Sequence, residues 1–293
     1  MTRTAPSTSH VVELIVALVL AGAAKIGAQE ADTVERVGLA PRLTAANPPP
    51  DTTKTFFTRR DLAYTGAGLA GTALVSVFDK RIAHWAQRPS VIGGPSRQRV
   101  VRDLTDWSGE TTLTWAAVLS YGIGRLAHSS TTADVSLHMV EAQILTSVFG
   151  QTIRGVLGRA RPRLSFDDQY NFHWGKGFTS FDYRSFPSLH SGAGFVAAAT
   201  LTEELRERKP SALWYAAPVL YGLALVPGVT RMYNNTHWAS DVAAGAVLGT
   251  LFGTKVVHYA HTHRRTKLDR ALLGVAVVPT SQGGALLMVT VER

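Results

Sequence analysis

Thr230-Arg231-Met232-Tyr233-Asn234-Asn235-Thr236-His237-Trp238-Ala239-Ser240-Asp241 (TRMYNNTHWASD) joins an apolar run to a run of small residues. Its arginine is followed six positions later by a histidine, and four positions after that by an aspartate. Residues four apart on a helix are neighbours on one face, so His237 and Asp241 form a candidate pair. A carboxylate placed there can accept the Nδ1 proton, fix the imidazole tautomer and leave Nε2 free as nucleophile or base. The same spacing suits an ordinary surface ion pair, so this stretch alone assigns no chemistry.

Two segments upstream change the reading. RSFPSLHSGAGF (Arg184 to Phe195) sets Pro187, Ser188, Leu189 and His190 at the start of a small-residue helix. The first turn of a helix exposes unpaired N–H groups and attracts anions, although a serine there is most simply a cap. Earlier still, RGVLGRARPR (Arg154 to Arg163) holds Arg154 and Arg161 seven positions apart, about two helical turns, before Pro162 ends or bends the helix. By itself an arginine-rich helix end is a solvated face.

Together the three clusters resemble the signature of the type 2 phosphatidic acid phosphatase and vanadium haloperoxidase superfamily, in a bacterial exported phosphatase branch. That pattern runs Lys, six residues, Arg-Pro; then Pro-Ser-Gly-His; then Ser-Arg, five residues, His, three residues, Asp. This chain has Arg154-GVLGRA-Arg161-Pro162, Pro187-Ser188-Leu189-His190, and Thr230-Arg231-MYNNT-His237-WAS-Asp241. Arg154 replaces the lysine, keeping the charge but spreading it over a planar fork. Leu189 replaces a glycine whose backbone N–H faces phosphate in the family, and its side chain could crowd a substrate. Thr230 keeps the hydroxyl of the serine.

The resemblance implies an all-α helical bundle of the acid phosphatase/vanadium haloperoxidase type. It also implies a phosphatase in which His237 attacks phosphorus and becomes a phosphohistidine, Asp241 orients it, and His190 protonates the leaving oxygen and then activates water. Arg154, Arg161, Arg231, Ser188 and the backbone at Leu189 hold the phosphoryl oxygens. Three arginines supply the positive charge that a metal supplies in other phosphoryl transfers, so no cofactor and no catalytic metal are expected. A vanadate-dependent haloperoxidase and a non-catalytic phosphate- or lipid-binding member of the fold are the alternatives.

Composition fits these expectations. The 293 residues are 45% hydrophobic and 17% charged, which excludes a disordered chain. A net charge of +9 favours anionic partners, and without a basic stripe interleaved with aromatics these are phosphorylated molecules or lipid headgroups rather than nucleic acid. There is no cysteine, hence no disulfide or thiolate chemistry. Arg3, the apolar run Leu14 to Ala24 and the small residues after it have the layout of a secretory signal spanning residues 1–28, with a retained anchor as the competing reading. A Pro-containing linker follows in residues 29–60, then a helical domain over 61–263.

Apolar periodicity predicts helices over Leu62–Phe78, Leu113–His128, Leu137–Leu157, Ser191–Arg208, Ala212–Val226 and Ser240–Tyr259. Residues 264–293 read as a β-hairpin appendage, Leu272–Pro279 with Ala285–Val291. Glu203, Glu204 and Lys255 interrupt most candidate spans, and Pro210–Thr230, the one stretch long enough, carries prolines. The expected state is therefore a soluble periplasmic bundle, at most held peripherally on a membrane, with an integral inner-membrane protein as the alternative. His258, His261 and His263 could bind a stray metal, but beside Arg264 and Arg265 they read as part of a basic solvated tail. The loop from Arg163 to Tyr183 is rich in aromatics, which either line a substrate entrance or pack the loop. The substrate itself is not encoded in any of these patterns.

Overall fold

Ten α-helices follow one another in the computed structural model, which describes residues 56–262 and, beyond them, residues 275–279 and 285–289. They are α1 (Arg59–Ser76), α2 (Asp79–Ala86), α3 (Pro89–Ile92), α4 (Pro95–Trp107), α5 (Glu110–Leu126), α6 (Ser130–Leu157), α7 (Lys176–Thr179), α8 (Leu189–Arg208), α9 (Leu213–Tyr233) and α10 (Ala239–Thr262). Strands β1 (Val275–Pro279) and β2 (Ala285–Val289) pair antiparallel, Val275 opposite Val289 and Pro279 opposite Ala285. The architecture is all-α with a short hairpin. The signal-like segment, most of the linker and His263 to Arg270 lie outside the described residues.

Local chemistry sets the helix ends. Thr58 and Asp61 form a capping box at the start of α1: the Thr58 hydroxyl accepts from Asp61 N–H, and the Asp61 carboxylate accepts from Thr58 N–H. Ser129 caps α6 by accepting from Thr132 N–H. At the far end of α6 the chain turns through Gly158 at φ 55°, where a Cβ would lie 1.9 Å from the His173 carbonyl oxygen, so only glycine fits.

The core of the bundle is the α8–α10 pair, and small residues bring its two backbones together. Gly245, Gly249 and Gly253 form a stripe along α10 at four-residue spacing. A Cβ on Gly245 would lie 2.1 Å from the Ser188 carbonyl oxygen, one on Gly249 2.2 Å from that of Gly192, and one on Gly253 2.8 Å from Ala199 Cβ. Such small-residue seams suit helices that associate where apolar burial gives little drive. Helix α6 closes one side, where Ala142, Val196, Phe252 and Val256 form an apolar cluster. On another side α9 crosses α8 at Gly194, where a Cβ would meet Pro227 Cγ at 2.8 Å.

Two differences from the sequence-based expectations have clear causes. Helix α9 runs through Pro227 to Tyr233 instead of stopping at Val226, and it thereby carries Thr230 and Arg231 in its last turns. Helices α2, α3, α4 and α7 are short or rich in charged residues and hold no long apolar run, so a reading that follows apolar runs passes over them; α3 and α4 begin at Pro89 and Pro95, where proline's fixed φ favours a helix start.

The soluble, at most peripheral, bundle is the expectation the structure overturns. Large apolar side chains face outward along α1 (Leu62, Leu74), α5 (Trp115, Leu119, Ile123, Leu126), α6 (Ile144, Val148) and α9, where Trp214 is 79% exposed and Val219 60%. A water-soluble monomer does not present apolar faces of this extent. Helices 210–233 and 239–262 are each long and apolar enough to cross a bilayer, and the pair α1–α2, bent by 61°, makes a third span if counted as one. Lys255 does not break the α10 span, because it is buried and its Nζ lies 2.7 Å from Asp61 Oδ2. A paired charge facing the bundle interior avoids the cost of an isolated charge in lipid. The molecule is a membrane protein.

Candidate active site

All the residues singled out by the three clusters lie at one end of the bundle. Arg154 stands in the last turn of α6, Arg161 in the loop after it, Ser188 to His190 at the start of α8, and Arg231 in the last turn of α9. His237 lies in the α9–α10 connection and Asp241 in the first turn of α10. The Arg154 Nε–H donates to the Pro187 carbonyl at 2.7 Å, tying α6 to the α8 entry. The Ser188 N–H donates to the Asp241 carbonyl at 2.9 Å, tying that entry to α10. His190 sits within electrostatic reach of Arg231, His237, Arg154 and Arg161. Ser188 itself is the α8 N-cap, accepting from Ser191 N–H.

His237 is buried, and its Nδ1 lies 2.7 Å from the Ser185 carbonyl oxygen. A carbonyl can only accept, so the geometry puts the proton on Nδ1 and the lone pair on Nε2. Burial pushes the imidazole down to about 4, with the Asp241 carboxylate opposing and the Arg154 and Arg161 charges adding to the shift. The ring is therefore neutral near pH 7. The direct His237–Asp241 hydrogen bond expected from four-residue spacing is absent: Nδ1 is 3.6 Å from Asp241 Oδ2, too far for such a bond. His237 precedes α10 instead of riding on it, which is why the helical-face argument fails.

Asp241 works on the surroundings of His237. Its Oδ2 accepts from the Ser185 hydroxyl at 2.5 Å and from Trp238 N–H at 2.7 Å, the half of a capping box in which a carboxylate reaches back to the helix entry. Its Oδ1 accepts from Arg159 Nη1 at 2.5 Å. Arg159 also donates from Nη2 to Asp79 Oδ2 at 2.8 Å and to the Gln169 carbonyl at 2.6 Å, and Ser240 Oγ hydrogen-bonds both Arg159 and Asp79. Arg159, Asp79 and Asp241 are all buried, a charge network with every oxygen engaged. Arg159, Asp79 and Ser185 are the supporting residues that sequence reasoning misses. A buried aspartate implied a cationic partner, but nothing in RGVLGRARPR distinguishes Arg159 from its neighbours.

The remaining arginines are differently placed. Arg161 donates from Nε to the Phe181 carbonyl at 3.2 Å and lies over the Phe181 ring at 4.1 Å; burial, then the neighbouring Arg154, Arg163 and Arg231 charges, bring its guanidinium down to about 10, still charged at neutral pH. Arg154 Nη2, His190 Nδ1 and Arg231 Nε are buried polar atoms with no protein partner. Three such groups converging at one helix N-terminus make a site suited to an anion with several acceptor oxygens. Leu189 does not obstruct that arrangement. Its side chain is buried over Gly150 of α6, where an added Cβ would come within 2.2 Å of Leu189 Cδ2. The Arg163–Tyr183 loop exposes Tyr170, Trp174, Phe178 and Phe181, so these aromatics do not serve as the loop's own core, and of the four Phe181 lies against Arg161.

Parts of the chain are similar to known proteins. A 69-residue stretch is 41% identical to the lipid A 1-phosphatase of Porphyromonas gingivalis, covering 24% of this chain and 15% of that protein. The chain thus matches well under two-thirds of that relative's length. A crystal structure of a transmembrane PAP2-type phosphatidylglycerolphosphate phosphatase from Bacillus subtilis aligns with 71% of this chain and 98% of its own at 18% identity and a TM-score of 0.48. The profile of the PAP2 superfamily matches residues 135–265. Those residues, which contain all three clusters, form a PAP2 superfamily domain.

Proposed function

We propose that this protein is a metal-independent lipid phosphate phosphatase that works through a phosphohistidine intermediate. The observation that carries the proposal is His237, buried and neutral, with Nδ1 committed to the Ser185 carbonyl and Nε2 left as a nucleophile beside unpartnered arginine donors. His237 Nε2 attacks phosphorus in line with the leaving alkoxide. Arg154, Arg161, Arg231, the Ser188 hydroxyl and the backbone at Leu189 hold the equatorial oxygens. Fixed positive charge there stabilises the transition state without reorganisation. His190 gives a proton to the leaving oxygen, then takes one from the water that attacks the phosphohistidine, returning His237 to its starting state. Asp241 positions His237 through Ser185 and Trp238.

The outward apolar helices support a lipid as the phosphate's carrier, because a substrate anchored in the bilayer arrives with its headgroup at the end of the spans. The lipid phosphatase name of the Porphyromonas relative supports the same reading. The N-terminal segment is read as an export signal or retained anchor that places the site on the periplasmic side. The test is phosphate release from short-chain phosphatidic acid by detergent-solubilised protein in EDTA. His237→Ala is expected to lower turnover by several orders of magnitude and to abolish an acid-labile phosphoenzyme that wild type accumulates. Turnover that survives in a folded His237→Ala protein, or that requires added Mg²⁺ or Zn²⁺, overturns the proposal.

A further inference from the structure

At the opposite end of the α6–α8–α10 core, three residues distant in sequence meet. His138 of α6 places Nδ1 2.6 Å from Glu204 Oε1 of α8, and His261 in the last turn of α10 places Nε2 3.3 Å from both Glu204 oxygens. The three donor atoms lie within 4.8 Å of one another. His138 and Glu204 are buried, whereas the His261 side chain keeps 30% of its surface exposed. Fourteen residues of α8 separate His190 from Glu204, about 21 Å of helix, so this cluster is distinct from the phosphate-facing end.

We propose that His138, Glu204 and His261 form a binding site for one divalent transition-metal ion, with Zn²⁺ the best match. Two imidazoles and one carboxylate are a known zinc donor set, with metal–ligand distances of about 2.0–2.2 Å. Donors on a tetrahedral ion at that distance are roughly 3.4 Å apart, so the His261–Glu204 spacing already fits and the His138–Glu204 contact opens by less than about 1 Å. His138 Nδ1, Glu204 Oε1 and His261 Nε2 supply three positions, and the exposed side of His261 leaves the fourth to water. Arg208 Nε donates to Glu204 Oε2 at 2.9 Å, which holds the carboxylate with Oε1 presented to the ion, the outer-shell orientation that metal sites use. The Arg208 charge is itself balanced by Asp134, at 3.8 Å. An ion there joins the three helices that carry Arg154, His190 and Asp241, so its role is to clamp the bundle and it takes no part in phosphoryl transfer.

The experiment uses the full chain in detergent, prepared without a polyhistidine tag, stripped with EDTA, dialysed and titrated with Zn²⁺ alone. Elemental analysis is expected to find one Zn²⁺ per chain in wild type, and unfolding to shift upward by several degrees on loading. Co²⁺ in place of Zn²⁺ should give the intense visible bands of a tetrahedral site. His138→Gln and His261→Ala should each lose the bound ion and the shift. His261, at the bundle's edge, serves as the milder variant should His138→Gln fail to fold. Substoichiometric Zn²⁺ in wild type, or undiminished binding in His261→Ala, overturns the proposal. Phosphatase turnover measured in EDTA below the unfolding temperature bears only on the proposed function, so the two ideas fail separately.

Discussion

At Ser185, one residue serves two partners: its hydroxyl donates to Asp241 and its carbonyl accepts from His237. Removing the hydroxyl leaves the carbonyl in place, so Ser185→Ala should lower kcat about tenfold, the value of one buried charge-assisted hydrogen bond of roughly 1.5 kcal/mol, with KM unchanged. Steady-state kinetics on short-chain phosphatidic acid, with phosphoenzyme trapping to show that the nucleophile survives, measures this; a rise in KM alone would remove Ser185 from the positioning path. Leu189 offers the opposite dissociation. Its side chain fills space over Gly150, so Leu189→Ala should cost stability in the range of about 2–5 kcal/mol while the folded protein keeps its kcat. A large gain in kcat would mean instead that the leucine crowds the substrate. The spacing of Arg154, Arg161, His190, Arg231, His237 and Asp241 picked out in sequence residues that the fold brings to one end of the bundle. Asp79 and Arg159, by contrast, stand 80 residues apart and obey no periodic rule, so only the fold reveals that they meet.

Among the helices, the α8–α10 seam controls how the two histidines face each other, since His190 starts α8 and His237 immediately precedes α10. Gly249→Ala forces a methyl group to within 2.2 Å of the Gly192 carbonyl oxygen, so it should lower Tm and the folded yield, and His190 and His237 should separate with the helices. Gly222 and Gly71 are also helical, yet a Cβ at either meets nothing within 4 Å. Alanine at those positions should be tolerated, or should raise stability by up to about 1 kcal/mol through helix propensity. Thermal melts of the three variants in one detergent separate a seam effect from a general intolerance of substitution. The six long helices were legible because their apolar runs are long. Their environment was misread because Lys255 and Glu204 count as interruptions in a linear scan, and only the packed bundle pairs the first with Asp61 and the second with His138 and Arg208.

For the molecule as a whole, the outward-facing apolar side chains of α1, α5, α6 and α9 fix how it should behave in fractionation. Anchoring of this kind is hydrophobic, whereas peripheral attachment is electrostatic and screened over about 8 Å at physiological ionic strength. The protein should stay in the membrane pellet through high salt and alkaline carbonate and appear in the supernatant only with detergent; release by carbonate alone would restore the peripheral reading. The Asp79 network adds a consequence of a different kind, concerning the order in which the chain is made. Asp79 accepts from Ser240 N–H, 161 residues further along. At about 5–20 residues per second, translation leaves roughly 8–30 s during which the α1–α2 bend exists and its carboxylate's partner on α10 does not. Arg159, made 80 residues after Asp79, can pair with the carboxylate before the Ser240 donors arrive. Completion of the network thus waits for α10, and a chain stalled before Ser240 holds an Asp79 carboxylate that lacks its Ser240 donors.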